Sequence, residues 1–375
     1  MLKDIIVFGE DWGKLPSSTQ HLIKYLGTDR KIIWVNSIGL RQPSWGWQDL
    51  RRLWEKLISR THTDSSSTKL NSTHFQVISP KTIPAPKSAL MRKIARKLLR
   101  KQILPVMQEM NISAPILWTS LPTAVDTLGV FDEAQVVYYC GDDFSALAGV
   151  DHNVVPQREA ELVTKADLVL AASKTLTKKF ANENANTHYI PHGVDYELFS
   201  EPTDIAKNLP HGKPIAGFYG SISKWLDIPL LLCVIQNLPE WNFVFVGKIE
   251  VNVTALAKLD NVFFLPQIDH ASLPSYSQHW QCSLLPFVDN EQIRACNPLK
   301  LREYLATGKP VVSTYFPALE PYLKFVHVAT TPFELEEAIS ACQDSTINTE
   351  QQALVQTESW LYRAQQVQAL LVNDE

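Results

Sequence analysis

From residue 4 to residue 329 the chain alternates short apolar runs with longer stretches of helical periodicity, and no other feature narrows its fold as far. The runs in the first half are DIIVFG (4–9), KIIWVN (31–36), HFQVIS (74–79), ILW (116–118), AQVVYY (134–139), DLVLAA (167–172) and THYI (187–190). The second half continues with PIAGFYG (214–220), WNFVFVG (241–247), NVFFLP (261–266), CSLLPF (282–287), PVVST (310–314) and KFVHVA (324–329). They are β-branched, aromatic and unalternated, which predicts strands covered by helices on both faces. Strand and helix in strict alternation predict an α/β fold with parallel sheets.

A polar, proline-containing stretch, SEPTDIAKNLPHGKP (200–214), separates the two sets of runs. A chain of 375 residues is long for one domain at roughly 100 to 200 residues each. The expected architecture is two Rossmann-like doubly wound domains facing a central cleft, with ligands at the carboxyl ends of the strands. The expected domains are residues 1–200, residues 201–350, and a last helix within 351–375 that packs back on the first domain. His192, in IPHGVDYELF, is expected at the hinge, with Gly193 supplying an unusual backbone angle.

Thirty-five Lys and Arg against 39 Asp and Glu leave a net charge of −4, which excludes a global basic field for nucleic acid. With 45% hydrophobic and 20% charged residues the chain is expected to fold throughout. The apolar run near the N-terminus is too short for a signal-peptide core, and no later run reaches the roughly 18 residues of a membrane span, so a cytoplasmic protein is expected. Five cysteines without a C-x-x-C pair predict reduced, mostly buried thiols. No D-x-D follows a strand of the second half, so neither a metal nor a cofactor is expected.

The most informative segment is RACNPLKLREYLATGKPVVST (294–314). Asn297 reads as a helix N-cap, Pro298 and Leu299 as the first helical residues, and Gly308 as the stop. Free N–H groups and the positive dipole end suit a phosphate there, and Lys300 in the first turn adds a full charge. Glu303, three residues on, shares that face and can accept from a ribose hydroxyl pair. The alternative is a solvated ion pair between Lys300 and Glu303. Arg294 reads equally as a second cation for a diphosphate or as a surface residue.

The segments IPHGVDYELF, GFYGSISKWLD and NPLKLREYLATGKPVVST, in that order, resemble the GT-B glycosyltransferases of the large family 4 type. Within that group the chain is similar to bacterial exopolysaccharide and capsule enzymes such as the xanthan glucuronosyltransferase, over nearly its whole length. The resemblance implies that Lys300 contacts the nucleotide diphosphate and Glu303 the ribose. It also implies that Leu265 and Pro266 form the strand end whose backbone meets the base, and that Gly220 and Ser221 form the turn beside the phosphates. The commoner pattern has a second glutamate eight positions before Glu303; here that position is Ala295, with Asp289 and Glu291 upstream.

Glycosyl transfer to a hydroxyl needs a base to take its proton. Asp142 and Asp143 follow the AQVVYY strand, at the end where α/β domains place chemistry, and one of them is expected in this role. The alternative is that one caps the next helix and the other is solvated. Glu10 and Asp11, directly after the first strand, and His21, in a helix capped by Ser17 or Ser18, are expected on the acceptor side.

Two segments carry apolar stripes. SWGWQDLRRLWEKLIS (44–59) places Trp47 and Trp54 on an apolar face, with Trp45 nearby. KSALMRKIARKLLRK (87–101) carries seven Lys or Arg, among them Arg92, Lys93, Arg96, Lys97 and Arg100, no acid, and a stripe of Leu90, Met91, Ile94 and Leu98; Pro105 is expected to end it. Each helix can simply cover a sheet. An aromatic edge on one helix and an acid-free basic face on the other are also what an anionic membrane surface selects, so docking of the first domain on the inner face of the cell membrane is expected.

The expected activity is inverting, metal-independent transfer of a sugar from a nucleotide diphosphate sugar, UDP-sugar first, to a hydroxyl of a lipid-linked or polysaccharide acceptor. Inversion is inherited from the resemblance. The alternatives are a nucleotide-sugar epimerase of the same fold, or a non-catalytic nucleotide-sugar-binding scaffold in polysaccharide assembly.

Overall fold

The computed structural model describes residues 2–13, 17–39, 74–144 and 151–372. Among them the apolar runs form two parallel sheets. The first contains β1 (Ile5–Phe8), β2 (Ile32–Val35), β3 (Phe75–Ile78), β4 (Ile116–Thr119), β5 (Gln135–Cys140), β6 (Leu168–Ala171) and β7 (Thr187–Tyr189) in the order β3-β2-β1-β4-β5-β6-β7. The second contains β8 (Ile215–Tyr219), β9 (Asn242–Val246), β10 (Val262–Leu265), β11 (Cys282–Leu285), β12 (Val311–Thr314) and β13 (Val326–Ala329) in the order β10-β9-β8-β11-β12-β13. Strand order reverses beside β1 in one sheet and beside β8 in the other, and the crevice at such a reversal is where doubly wound sheets bind ligands.

The apolar runs are unalternated because helices cover both faces. Central strands such as β1, β4, β8 and β9 are buried at every residue, whereas the edge strands β3 and β10 are half-buried. The helices of the first unit are α1 (Ser18–Leu26), α2 (Ala89–Glu109), α3 (Val155–Lys165) and α4 (Lys174–Ala181). Next come α5 (Tyr196–Ser200), α6 (Ile228–Asn237), α7 (Pro274–Ser277), α8 (Glu291–Ala295), α9 (Leu299–Ala306), α10 (Pro332–Ser340), α11 (Thr349–Gln356) and α12 (Trp360–Gln368).

The chain divides into one unit of residues 1–190 with 364–375 and another of residues 191–363. The passage lies ahead of the polar stretch because Val194 pairs with Ser359, which holds the segment before α5 to the second unit. In the first unit the C-terminal residues are tied in by polar contacts: Gln135 Nε2 donates to Leu370 O at 3.3 Å, and the Arg30 guanidinium reaches Gln368.

Three expectations need correction. α2 does not stop at Pro105 but runs to Glu109, because Ile103 and Met107 on either side of the proline are buried and hold that turn against the core. The last helical region is two helices, α11 and α12, separated where Ser359 joins Val194. Gly193 does not take a left-handed angle; a Cβ there would lie 2.8 Å from the Trp360 backbone N, so close packing explains the glycine. The cysteines are mostly buried, as expected: Cys140, Cys282 and Cys342 are buried, Cys296 is half-buried and Cys233 is exposed. Trp45, Trp47 and Trp54 lie outside the described residues.

Candidate functional site

At the reversal in the second sheet, β8 ends at Tyr219 and the chain turns at Gly220, whose φ is +128°. The neighbouring strand ends are stepped: Gly220 N donates to Val246 O at 2.9 Å, and Gly247 N to Leu265 O at 3.0 Å. A Cβ on Gly247 would lie 2.1 Å from Gly220 O, so this corner exists only with glycine at that position. The Leu265 carbonyl is thereby used within the sheet, at the step before Pro266.

α9 brings Lys300 and Glu303 to the same corner. Lys300 Nζ lies 5.4 Å from the centre of the Phe218 ring, and a Cβ on Gly220 would come within 3.0 Å of that nitrogen. Glu303 is buried and gripped at both oxygens: the Tyr219 hydroxyl donates to Oε2 at 2.6 Å, and His270 Nε2 lies 2.8 Å from Oε1. Burial alone would push the Glu303 carboxyl upward, but His270, Tyr219 and Lys300 hold it below the usual carboxylate range. Lys300 and Glu303 are therefore not a simple solvated pair. Beneath them Tyr219 stacks on Trp280 at 6.2 Å between ring centres, and its N–H donates to the Tyr304 hydroxyl at 2.9 Å.

Asn297 does not cap this helix. Its Oδ1 accepts from Arg302 Nη1 at 2.7 Å, Pro298 occupies the cap position without a side-chain bond, and the helix starts at Leu299. The buried Arg302 also reaches Glu358 at 2.6 Å, so the approach to α9 is held by an ion pair. Arg294 is 60% exposed and forms a two-bond fork with Asp289, at 2.7 Å each.

In the first unit Asp142 and Asp143 follow β5 but have different surroundings. Asp142 is exposed, whereas Asp143 Oδ1 lies 2.9 Å from Lys179 Nζ. Lys179 also binds the buried Glu159 at 3.0 Å, and Tyr138 donates to Glu159 at 2.8 Å. Burial would lower the Lys179 pKa, but these two carboxylates raise it. Glu10 accepts from Ser17 at 2.9 Å, Asp11 accepts from the Ser37 N–H at 3.2 Å, and His21 sits half-buried in α1, capped by Ser17.

Sequence reasoning missed His270 and Tyr219. Both follow a simple positional signal: Tyr219 is the last residue of β8, and His270 lies in the segment after β10, at the carboxyl end of the sheet. Among the described residues no cluster of His, Cys, Asp and Glu could hold a metal ion.

No family model matches the sequence. A relative in Bacillus subtilis (strain 168), TuaH, provisionally named a teichuronic acid biosynthesis glycosyltransferase, is 25% identical over 296 residues, 70% of this chain and 74% of that protein. Sucrose-phosphate synthase from Thermosynechococcus elongatus superposes with a TM-score of 0.69 at 16% identity over 98% of both chains. HepE of Anabaena, solved with UDP and glucose, superposes with a TM-score of 0.67 at 16% identity over 99% of both chains. The fold is the GT-B glycosyltransferase fold. The chain is thus a GT-B relative of glycosyltransferases, the class its motifs resemble, and the sequence match adds a polysaccharide-pathway protein to the likeness of fold.

Proposed function

We propose that the protein transfers a sugar from a UDP-sugar to a hydroxyl of a lipid-linked or polysaccharide acceptor, with inversion and without a metal. The observation that carries the donor half is Glu303 fixed beside Lys300 at the end of β8. A buried carboxylate kept ionised is suited to accept from ribose hydroxyls, and an ammonium at the start of α9 is suited to a diphosphate. Support for UDP comes from HepE, which is solved with UDP and with UDP-glucose, and support for a polysaccharide acceptor from the name of TuaH.

In this reading the acceptor binds the first unit, and its hydroxyl attacks the anomeric carbon while a carboxylate takes the proton. The bond to the diphosphate oxygen breaks, and the leaving UDP carries charge that Lys300 and the N-terminal N–H groups of α9 offset. Asp142 is the better base, because Asp143 is committed to Lys179. Release of UDP from UDP-glucose and other UDP-sugars, measured with and without lipid-linked saccharide, tests the reading: acceptor-dependent release supports it, and binding without turnover of any donor favours a scaffold.

The acceptor surface we assign to an anionic membrane, reached by α2. That helix buries Ala95, Leu99, Ile103 and Met107 against the core and leaves a second apolar stripe of Leu90, Met91, Ile94 and Leu98 in solvent. Lys93, Lys97 and Arg100 are exposed along it. Arg92 and Arg96 are partly spent inside the unit: Arg92 pairs with Asp126 and Glu161, and Arg96 donates to the Leu128 carbonyl at 3.2 Å. No helix among the described residues is long and apolar enough to cross a membrane.

A further inference from the structure

Glu303 cannot hold a ribose unless its carboxylate plane is fixed, and the two groups that fix it differ in kind. Tyr219 is a buried phenol whose pKa burial and the neighbouring carboxylate push far up, so its contact is constant with pH. His270 is a titratable imidazole, half-buried, in the helical turn after β10. Its ring lies edge-on to Phe199 of α5 at 5.4 Å between centres, which restrains it facing α9.

We infer that His270 is a positioning residue of the donor site: it fixes Glu303 through Oε1 while Tyr219 holds Oε2, and its charge sets how tightly the nucleotide diphosphate is held. This rests on the donor reading above.

The charged groups acting on His270 are Glu303 from α9 and Asp195 just before α5, and Lys300 acts in turn on Glu303. Burial would lower the imidazole pKa, but the Glu303 hydrogen bond and charge, with Asp195, hold it above the ordinary histidine range. While His270 is protonated, the pair with Glu303 is neutral and the diphosphate meets the charge of Lys300 undiminished. Once His270 loses its proton, the hydrogen bond survives through the neutral N–H, but the Glu303 charge stands uncompensated close to a dianionic ligand. Nucleotide affinity therefore falls as pH rises through the His270 transition. An extra charge at such a distance, partly screened, amounts to roughly a three- to tenfold change in Kd.

The test is the Kd of UDP-glucose, whose esterified diphosphate does not titrate near neutrality, measured by calorimetry from pH 6 to pH 9 on the full chain. For the wild type, affinity should weaken about three- to tenfold across this range. His270→Gln, which keeps a donor to Glu303 but no titrating charge, should give a flat profile near the wild-type high-pH value. His270→Ala should bind more weakly throughout and raise the donor KM more than it lowers kcat. A flat wild-type profile, or a slope that persists in His270→Gln, overturns the role of His270 and leaves the donor site standing. Wild-type protein that binds neither UDP nor UDP-glucose at any pH overturns the donor site itself, and this inference with it. If His270→Gln fails to fold, His270→Asn takes its place in the same comparison, and a flat wild-type profile overturns the role of His270 whichever variant is used.

Discussion

Lys179 Nζ lies 2.9 Å from Asp143 Oδ1, and this contact separates two aspartates that are adjacent in the chain. Asp143 belongs to a network with Glu159 and Tyr138 under the end of β5, while Asp142 stands exposed beyond it. A base has to reach a substrate hydroxyl, and the Asp143 carboxylate is already bound to Lys179. Asp142→Asn is therefore expected to lower kcat by about 10²- to 10⁴-fold with UDP-glucose affinity changed by less than about twofold. Asp143→Asn should cost less than about tenfold in kcat and lower the Tm by roughly 2–4 °C, the effect of about 1 kcal/mol in a domain of this size. Steady-state UDP release and thermal unfolding of the two variants check this; if Asp143→Asn is the inactive one, the assignment is reversed.

In the proposed donor site Lys300 and Glu303 have different parts, and their variants should separate. Lys300→Met removes a charge-assisted contact of about 1.5–3 kcal/mol, so UDP binding should weaken by roughly 10- to 100-fold while the fold is kept. Glu303→Gln keeps the shape but loses the charge that orders His270 and Tyr219, and it should lower stability as well as affinity. Since the Glu303 pKa is depressed in the folded protein, its contribution is present above the ordinary carboxylate range and is lost as pH falls through the folded value. The stability gap between wild type and Glu303→Gln should therefore close on acidification, which urea midpoints between pH 7 and pH 3 measure.

Arg302 is buried between Asn297 and Glu358, and Tyr322 and Arg363 also reach that glutamate. Replacing Arg302 by Met leaves Glu358 partly uncompensated and releases Asn297 ahead of α9. About 3 kcal/mol is expected from breaking a pair this buried, a fall of roughly 6–12 °C in Tm. Glu358→Gln with Arg302→Met removes both charges of that pair but takes the carboxylate from the buried Arg363 as well, so it should recover only part of that loss. Donor affinity should drop in the single variant, since the residues before Lys300 lose their anchor; unchanged UDP binding would separate Asn297 from the site.

The sheets were legible because their central strands are buried on both faces, so each of those appears as an uninterrupted apolar run. The helix α9 that carries Lys300 and Glu303 was legible, but its exact start was not. Asn297 is a good cap by type, and only the presence of Arg302, five residues on and turned inward, diverts its oxygen. The same kind of long-range partner hid the rest. His270 meets Glu303 across 33 positions and Lys179 meets Asp143 across 36, and such pairs depend on which loops the sheet order brings together. Pro105 misled for a related reason: a local rule ends the helix, and tertiary burial of Ile103 and Met107 overrides it.

α2 presents two apolar stripes, and only one is used by the core. Leu90 is 68% and Ile94 44% exposed, which in water is unfavourable surface with no structural return. Against a bilayer interface each such side chain can gain up to about 1.5–3 kcal/mol, and Lys93, Lys97 and Arg100 add about 1 kcal/mol each where the lipid is anionic. Wild-type protein should therefore sediment with vesicles containing phosphatidylglycerol and remain in solution with phosphatidylcholine alone, and raised salt should weaken the binding. Ile94→Ser with Leu98→Ser should reduce binding more than about tenfold without lowering the Tm, since neither side chain supports the fold. Lys93→Glu with Lys97→Glu should abolish the preference for anionic lipid but leave UDP affinity intact. Equal sedimentation with both vesicle types, or none with either, would show that the stripe serves something other than an anionic membrane.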